Sequence, residues 1–478
     1  MSQKSHPTES LLSDPNFYSC VVSAIAPRHS FIPSTNRSNP YTDLTFAGSL
    51  IKYFGRRDEK SVIPSDIFDS IAGLCASKVY DPRIACGMTI SESTKVVEIV
   101  LAGGANVIAA ETVAHARYIW SSVRQISKLG PGDRRSRKDM ERKMKRQLYS
   151  FILPCLHDDF EKYSPWIRNW VTCHERWQRN LRREYPANSQ EENSAVLFSK
   201  IINLQSTFDR CQSFLDDNDW DSSRIKEKDF NWLIQTLQKA SEQVNTILWG
   251  KDMINLEKER EQSNASICND EAHPLIHGLE NLTRLPDHVI VLQIFASSSP
   301  MKALSDYDVV IKSLPPIYGN PCSAWPTSTA SWKENVEGLL DSMGYRLLNA
   351  AEVSSQGISQ PPYGFASLPT SSREIFVHPE LQVALYLRDF RTKMYFDPES
   401  TAALEYVGTS DYCCAACERW IDEYDTFEPQ IQQIFVKGFS SVWTTDWRIP
   451  DYDQIAIAPS MVSWLRLLIV AHGKIVEK

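Results

Sequence analysis

Two short stretches carry the residue types that can do chemistry. Val377-His378-Pro379-Glu380-Leu381 offers an imidazole and a carboxylate two residues apart, and Tyr412-Cys413-Cys414-Ala415-Ala416-Cys417 offers a Cys-x-x-Cys pair. His378, Cys414 and Cys417 make three zinc ligands, with Glu380 as a carboxylate beside a fourth position left for water. Structural zinc sites are closed by four protein ligands, whereas hydrolytic ones keep a position open. The set therefore reads as hydrolytic. Other uses of the same residues stay open at this level. Cys413, or a distant histidine such as His288, would close the site as a structural one. Cys413 with Cys417 would make a different ligand pair. A redox Cys-x-x-Cys would leave His378 and Glu380 without a role.

These side chains need elements to hold them. Glu374-Ile375-Phe376-Val377 reads as a short strand that delivers the chain into His378. Pro379 suits the first turn of a helix, where its missing N–H costs nothing, and Leu381, Ala384, Leu385 and Leu387 continue that helix. Leu404 to Gly408 reads as a second strand, and Thr409-Ser410-Asp411 as a turn and N-cap. Cys414 and Cys417 then fall on the first turn of a helix carrying Trp420, Ile421 and Tyr424. A capping-box pattern at Ser331-Trp332-Lys333-Glu334, followed by Val336, Leu339, Leu340 and Met343, opens this region with a further helix. Alternation of helix and strand predicts an α/β sandwich with two helix N-termini side by side. Such N-termini stabilise thiolates, and cysteines at i and i+3 share a helix face. Glu380 is placed to take up and pass on a proton.

His-x-Glu after a strand, then Cys-x-x-Cys at the next helix start, resembles the zinc-dependent nucleic acid/nucleotide deaminase superfamily. The longer phrases Val-His-Pro-Glu-Leu-Gln and Tyr-Val-Gly-Thr-Ser-Asp-Tyr-Cys-Cys-Ala-Ala-Cys look like its expanded fungal deaminase-like branch, whose members carry the domain at the end of a long helical chain. The resemblance covers residues 330 to 450. It implies a cytidine-deaminase-like domain, a central sheet with helices on both faces. It also implies Zn2+ on His378, Cys414 and Cys417, with Glu380 as the proton shuttle. The matching chemistry is hydrolysis of a cytosine- or adenine-type base, in a nucleotide or nucleic acid, with release of ammonia. The alternative is a catalytically inactive deaminase-fold interaction protein with a retained zinc site. Many members have Pro before the first zinc cysteine; Cys413 stands there. Thr409, Ser410, Tyr412, Trp443 and Trp447 are candidates to line a pocket and stack a base; the two tryptophans equally suit a core.

The rest of the chain frames that domain. Its 478 residues suggest roughly two to four domains, and 42% apolar content allows real cores. A net charge of −8 argues against a chain built mainly to coat nucleic acid. Met1 to Pro15 lacks an apolar signal segment, and Ile99 to Ala110 is too short for a membrane span. An intracellular protein, cytoplasmic or nuclear and not secreted, is the expectation. Of eleven cysteines only Cys413, Cys414 and Cys417 cluster; the others suit reduced, buried thiols.

Residues 1–45 read as a loose leader with one short apolar element near Phe17 to Ile25, and 46–313 as a mainly helical region. Residues 314–330, dense in Pro, Ser and Thr, read as a linker, and 331–478 as the deaminase-like domain ending in a helix. Within the helical region, Val96 to Ile119 reads as helix broken at Gly103-Gly104, and 286 to 297 as a strand. Helices are expected over Ala195 to Leu215 and Lys228 to Trp249. Arg134, Arg135, Arg137, Lys138, Arg142, Lys143, Lys145 and Arg146 stand against Asp139 and Glu141 on one amphipathic helix. That face is a solvated surface, a contact for nucleic-acid phosphates or an import signal.

Overall fold

The computed structural model describes residues 9–25, 64–76, 83–130, 132–184, 191–248, 272–318, 325–349, 352, 364–370, 375–396, 402–410, 413–427, 434–436, 439–440, 447–450, 454–472 and 475–477. The chain is mostly helical with a mixed sheet. It divides into two compact units, each discontinuous in sequence. One is drawn from Met1–Arg57, Asp81–Val113 and Tyr307–Lys478, the other from Asp58–Tyr80 and Ala114–Asp306.

The first unit is built on a hairpin. β1 (Ile84–Ser91) and β2 (Val96–Gly103) pair antiparallel from Ile84↔Gly103 to Ser91↔Val96. Every residue of β1 is buried, as expected of a strand covered on both faces. β3 (Asp308–Leu314) joins β2 in parallel, and β5 (Ala402–Ala403) and β6 (Tyr406–Thr409) join β1 antiparallel. β8 (Phe435–Val436) runs parallel to β6, giving the order β3-β2-β1-β6-β8. Two small pairs accompany this sheet: β4 (Tyr345–Leu347) with β10 (Ile475–Glu477), and β7 (Cys413–Cys414) with β9 (Phe439–Ser440).

The helix Pro379–Phe396 lies across β1, β2 and β6. Gly87 makes this approach possible. A Cβ there would sit 2.6 Å from Val383 Cγ1 and 2.9 Å from Leu387 Cδ1, inside van der Waals contact. Val383, Leu387, Ala85, Val100 and Trp420 form one apolar core. A second core joins the helices Pro15–Ile25, Thr329–Ser342 and Gln454–His472 through Phe17, Trp332 and Leu465, with Phe17 stacked on Trp332 at 5.6 Å.

The second unit consists of helices joined by turns, with no strand among its described residues. Its principal helices include Pro64–Cys75, Arg134–Glu184, Glu191–Asp216, Glu227–Leu248 and Ala272–Ala296. Leu197, Ile201, Leu204, Phe208, Cys211 and Leu215 are buried along one face of Glu191–Asp216, as the 3.6-residue period requires. Among the described residues no helix is long and apolar enough to cross a membrane.

Several sequence expectations are corrected. Val96–Gly103 is a strand, and the helix starts only at Ala110. The run is short, rich in β-branched Val and Ile, and bounded by two glycines, so a fully buried strand and a helix share its pattern. Residues 286 to 296 are helix, not strand, because the inward spacing begins earlier, at Leu275, Leu279, Leu282 and Leu285, and continues through Pro286 to Val289, Leu292 and Phe295. Residues 9–25 of the expected leader form the helices Glu9–Leu12 and Pro15–Ile25, the second buried at every position but Ser23; the rest of it lies outside the described residues. The helix expected from Ser331 is capped by Ser328, whose hydroxyl accepts from the Ser331 amide.

Candidate metal centre

Backbone pairing delivers His378. Phe376 bridges Tyr318 on one side and Trp447 on the other. The Val377 amide donates to Ile317 O at 2.9 Å and the Arg448 amide to Phe376 O at 3.0 Å. The expected strand is therefore a pair of bridges at one residue. His378 then stands at the helix entrance: its carbonyl accepts from the Leu381 and Gln382 amides at 3.0 and 3.1 Å. Pro379 opens the helix, and Glu380 is an acid in its first turn, where the helix dipole favours negative charge.

The cysteines are positioned in a related way, with one correction. Cys414 closes β7, and the helix Ala415–Phe427 begins after it. Cys414 therefore precedes the first turn instead of lying in it, and it does the work of a cap. Its sulfur accepts from the Cys417 amide at 3.4 Å, satisfying one of the amides that a helix start leaves open.

The two segments bring four donors together. His378 Nδ1 lies 3.4 Å from Cys414 Sγ, 3.5 Å from Cys417 Sγ and 3.8 Å from Glu380 Oε1. Ligand atoms of all four residues lie within 4.8 Å of one another, and all four are buried. Zinc bonds of ~2.0 Å to nitrogen and ~2.3 Å to sulfur, held at tetrahedral angles, put those atoms about 3.5 Å apart. The observed nitrogen–sulfur distances match. The cluster can hold a metal ion.

Electrostatics point the same way. Burial pushes the Cys414 thiol up, but the Cys417 hydrogen bond and the His378 charge outweigh it and bring it down to about 6. Cys417 is pushed well up by burial and by its two neighbouring cysteines. Two sulfurs this close share one negative charge; a dication stabilises both as thiolates. Burial also acts upward on Glu380, yet its hydrogen bond and charge interaction with His378 hold the carboxyl below its usual value.

The other expected residues fall elsewhere. Ser410 ties β6 to β1: its hydroxyl accepts from the Ile84 amide at 2.9 Å, and its amide donates to Ile84 O at 2.8 Å. Thr409 is buried beside it, opposite Ala85. Trp447 takes the core alternative, buried with Val377 and Leu381. Tyr412 and Trp443 lie outside the described residues. Cys413 is buried, and its thiol donates to Cys414 O at 3.6 Å; it is not one of the four convergent residues. His288 belongs to the other unit, where its Nδ1 faces Ser70 Oγ at 3.2 Å.

Two positioning residues escaped the sequence reading. Gln382 donates from Nε2 to Val377 O at 2.6 Å, locking the peptide before His378. It lies inside the Val-His-Pro-Glu-Leu-Gln phrase, and its place in the helix's first turn is the signal that could have found it. Arg448, 5% exposed, donates to Tyr318 O through its guanidinium and to Phe376 O through its amide. Nothing local marks it. Compared with family models, with curated proteins and with solved structures, the chain matches none.

Proposed function

We propose that the first unit is a zinc-dependent hydrolytic deaminase of a cytosine- or adenine-type nucleobase, in a nucleotide or in nucleic acid. The observation that carries this reading is the approach of Glu380 and two cysteine sulfurs to one nitrogen of His378. His378, Cys414 and Cys417 would hold the ion, two sulfurs and one nitrogen being a donor set that suits zinc. A zinc ion in this set supplies Lewis-acid activation of water at neutral pH. Glu380 Oε1, held ionised beside His378, accepts the proton of the attacking water and returns it to the leaving amine. The helix dipole at Pro379 and the Gln382 clamp keep that carboxylate and the imidazole in register.

The test separates binding from chemistry. Metal analysis of the purified chain is expected to give one zinc per chain, and ammonia is expected from at least one member of a nucleoside, nucleotide and oligonucleotide panel. Glu380→Gln is expected to keep the metal and lower turnover by about 10²–10⁴-fold. One observation favours a second reading: Glu380 lies within ligand distance of the other donors, so it can close a four-ligand structural site in an interaction protein. In that case Glu380→Gln releases metal, and the parent gives no ammonia from any substrate.

A further inference from the structure

The helix Arg134–Glu184 begins with a row of cations that the candidate metal centre does not use. Arg134, Lys138, Arg142 and Arg146 recur every fourth residue, and all four are exposed. At 1.5 Å per residue they form a line about 18 Å long with one charge every ~6 Å. Arg135 and Lys143 are exposed beside it. Arg142 pairs with Asp139 at 3.4 Å and Arg146 with Glu227 at 3.9 Å. Among the described residues Arg134, Arg135, Lys138 and Lys143 have no carboxylate partner.

The placement runs against the helix's own preference. Acids are favoured in a first turn and cations disfavoured; this helix has no acid in its first turn and stands in a chain of net charge −8. The chemistry of the face also narrows its partner. Between 134 and 146 no large apolar side chain is exposed: Met144 is buried and Met140 half-buried. The face therefore lacks the aromatic or aliphatic anchor that protein interfaces centre on, and the apolar side that inserts into a bilayer. What binds through charge alone, along a line, is a phosphodiester backbone.

We infer that this face of the helix Arg134–Glu184 docks a nucleic-acid backbone without reading its sequence. The inference concerns binding by the helical unit and does not depend on zinc chemistry.

The experiment is fluorescence anisotropy of the full chain with labelled duplex DNA and duplex RNA of arbitrary sequence, titrated with salt. Binding is expected below about 100 mM salt, with a slope of log affinity against log salt of roughly −4 to −5, as four to six phosphate contacts require. Replacing Arg134, Arg135, Lys138 and Lys143 together by Glu is expected to weaken binding at least tenfold and to flatten the slope by about 4. Arg134→Glu and Arg135→Glu put acids in the helix's first turn, where the dipole favours them, and all four positions are exposed, so thermal unfolding is expected to stay close to the parent's. Replacing the two arginines by Lys is expected to retain binding. Unchanged binding in the charge-reversed chain overturns the inference, as does no binding at about 50 mM salt. Equal or stronger binding to phosphatidylserine vesicles or to a poly-glutamate peptide overturns it too. None of these outcomes bears on metal content or ammonia release, which test the centre separately.

Discussion

Each compact unit buries histidine, and the two units treat it in opposite ways. His378 in the first unit is 2% exposed; His115 and His288 in the second are each 5% exposed. Burial is thus the same. His378 presents one nitrogen to two sulfurs and a carboxylate. His115 lies flat on Phe151, with ring centroids 3.6 Å apart, and bonds the Leu74 carbonyl. Burial brings its pKa down to about 3, so it stays neutral. His288 is pressed against Gly73, where a Cβ would lie 2.4 Å from its ring. A buried imidazole is therefore not a site in itself. Convergent donors make it one; apolar neighbours make it a core residue with a hydrogen bond.

The contrast can be broken first at its strongest point. Cys414→Ser removes one of the four convergent donors and is expected to lower metal affinity by about 100-fold or more, since losing even an outer partner of a ligand costs 10–100-fold. Competition with a chromogenic chelator measures it. Unchanged affinity would remove Cys414 from the set. The parallel change Cys211→Ser, in the helical unit's core, is expected to leave metal content as it is.

The two glycines give the next effect. Gly87→Ala drives a methyl into Val383 and Leu387, and Gly73→Ala drives one into His288. Each is expected to destabilise its unit by about 1–3 kcal/mol in urea unfolding. Only Gly87→Ala is expected to weaken metal binding as well, because the displaced helix Pro379–Phe396 carries Glu380 and follows His378 directly. Equal metal affinity in both variants would show that the helix does not position the centre.

The last effect is a pH dependence. His115 has a folded pKa of about 3, below its ordinary 6.5. As pH falls below 6.5 the unfolded chain takes up the proton first, so stability is full above neutrality and is lost progressively from 6.5 toward 3. Between pH ~7.5 and ~5 this one group removes about 2 kcal/mol. His115→Phe keeps the stack on Phe151 and is expected to abolish that part of the slope, measured by urea unfolding at the two pH values. A slope identical to the parent's would show that His115 is not the group responsible.

The same contrast shows where sequence reading works. The helices Glu191–Asp216 and Glu227–Leu248 were legible because a long apolar period of 3.6 has one reading. Val96–Gly103 was misread because eight residues, seven of them Val, Ile, Leu, Ala or Gly around Glu98, are too few to show a period. Residues 286 to 297 read as a strand when taken alone, yet Leu282, Leu285, Val289 and Leu292 bury one continuous helix face that runs through Pro286. At the centre, His378, Glu380, Cys414 and Cys417 were legible from type and spacing. The tie that Ser410 makes was not: its partner, the Ile84 amide, lies 326 positions away.

What the sequence by itself determined is local. Covalent spacing sets Glu380 two residues after His378 and Cys417 three after Cys414, and Pro379 with its followers starts a helix there. Tertiary structure alone decided that ligand atoms of His378, Glu380, Cys414 and Cys417 come within 4.8 Å of one another, that Asn16 near the chain start accepts from the Ile449 amide at 2.8 Å, and that Arg448 braces the approach to His378. The physical reason is that i to i+3 geometry follows from bonds and dihedral angles. Contacts between residues hundreds of positions apart depend on which apolar faces bury one another, and a single chain segment carries no record of its partner.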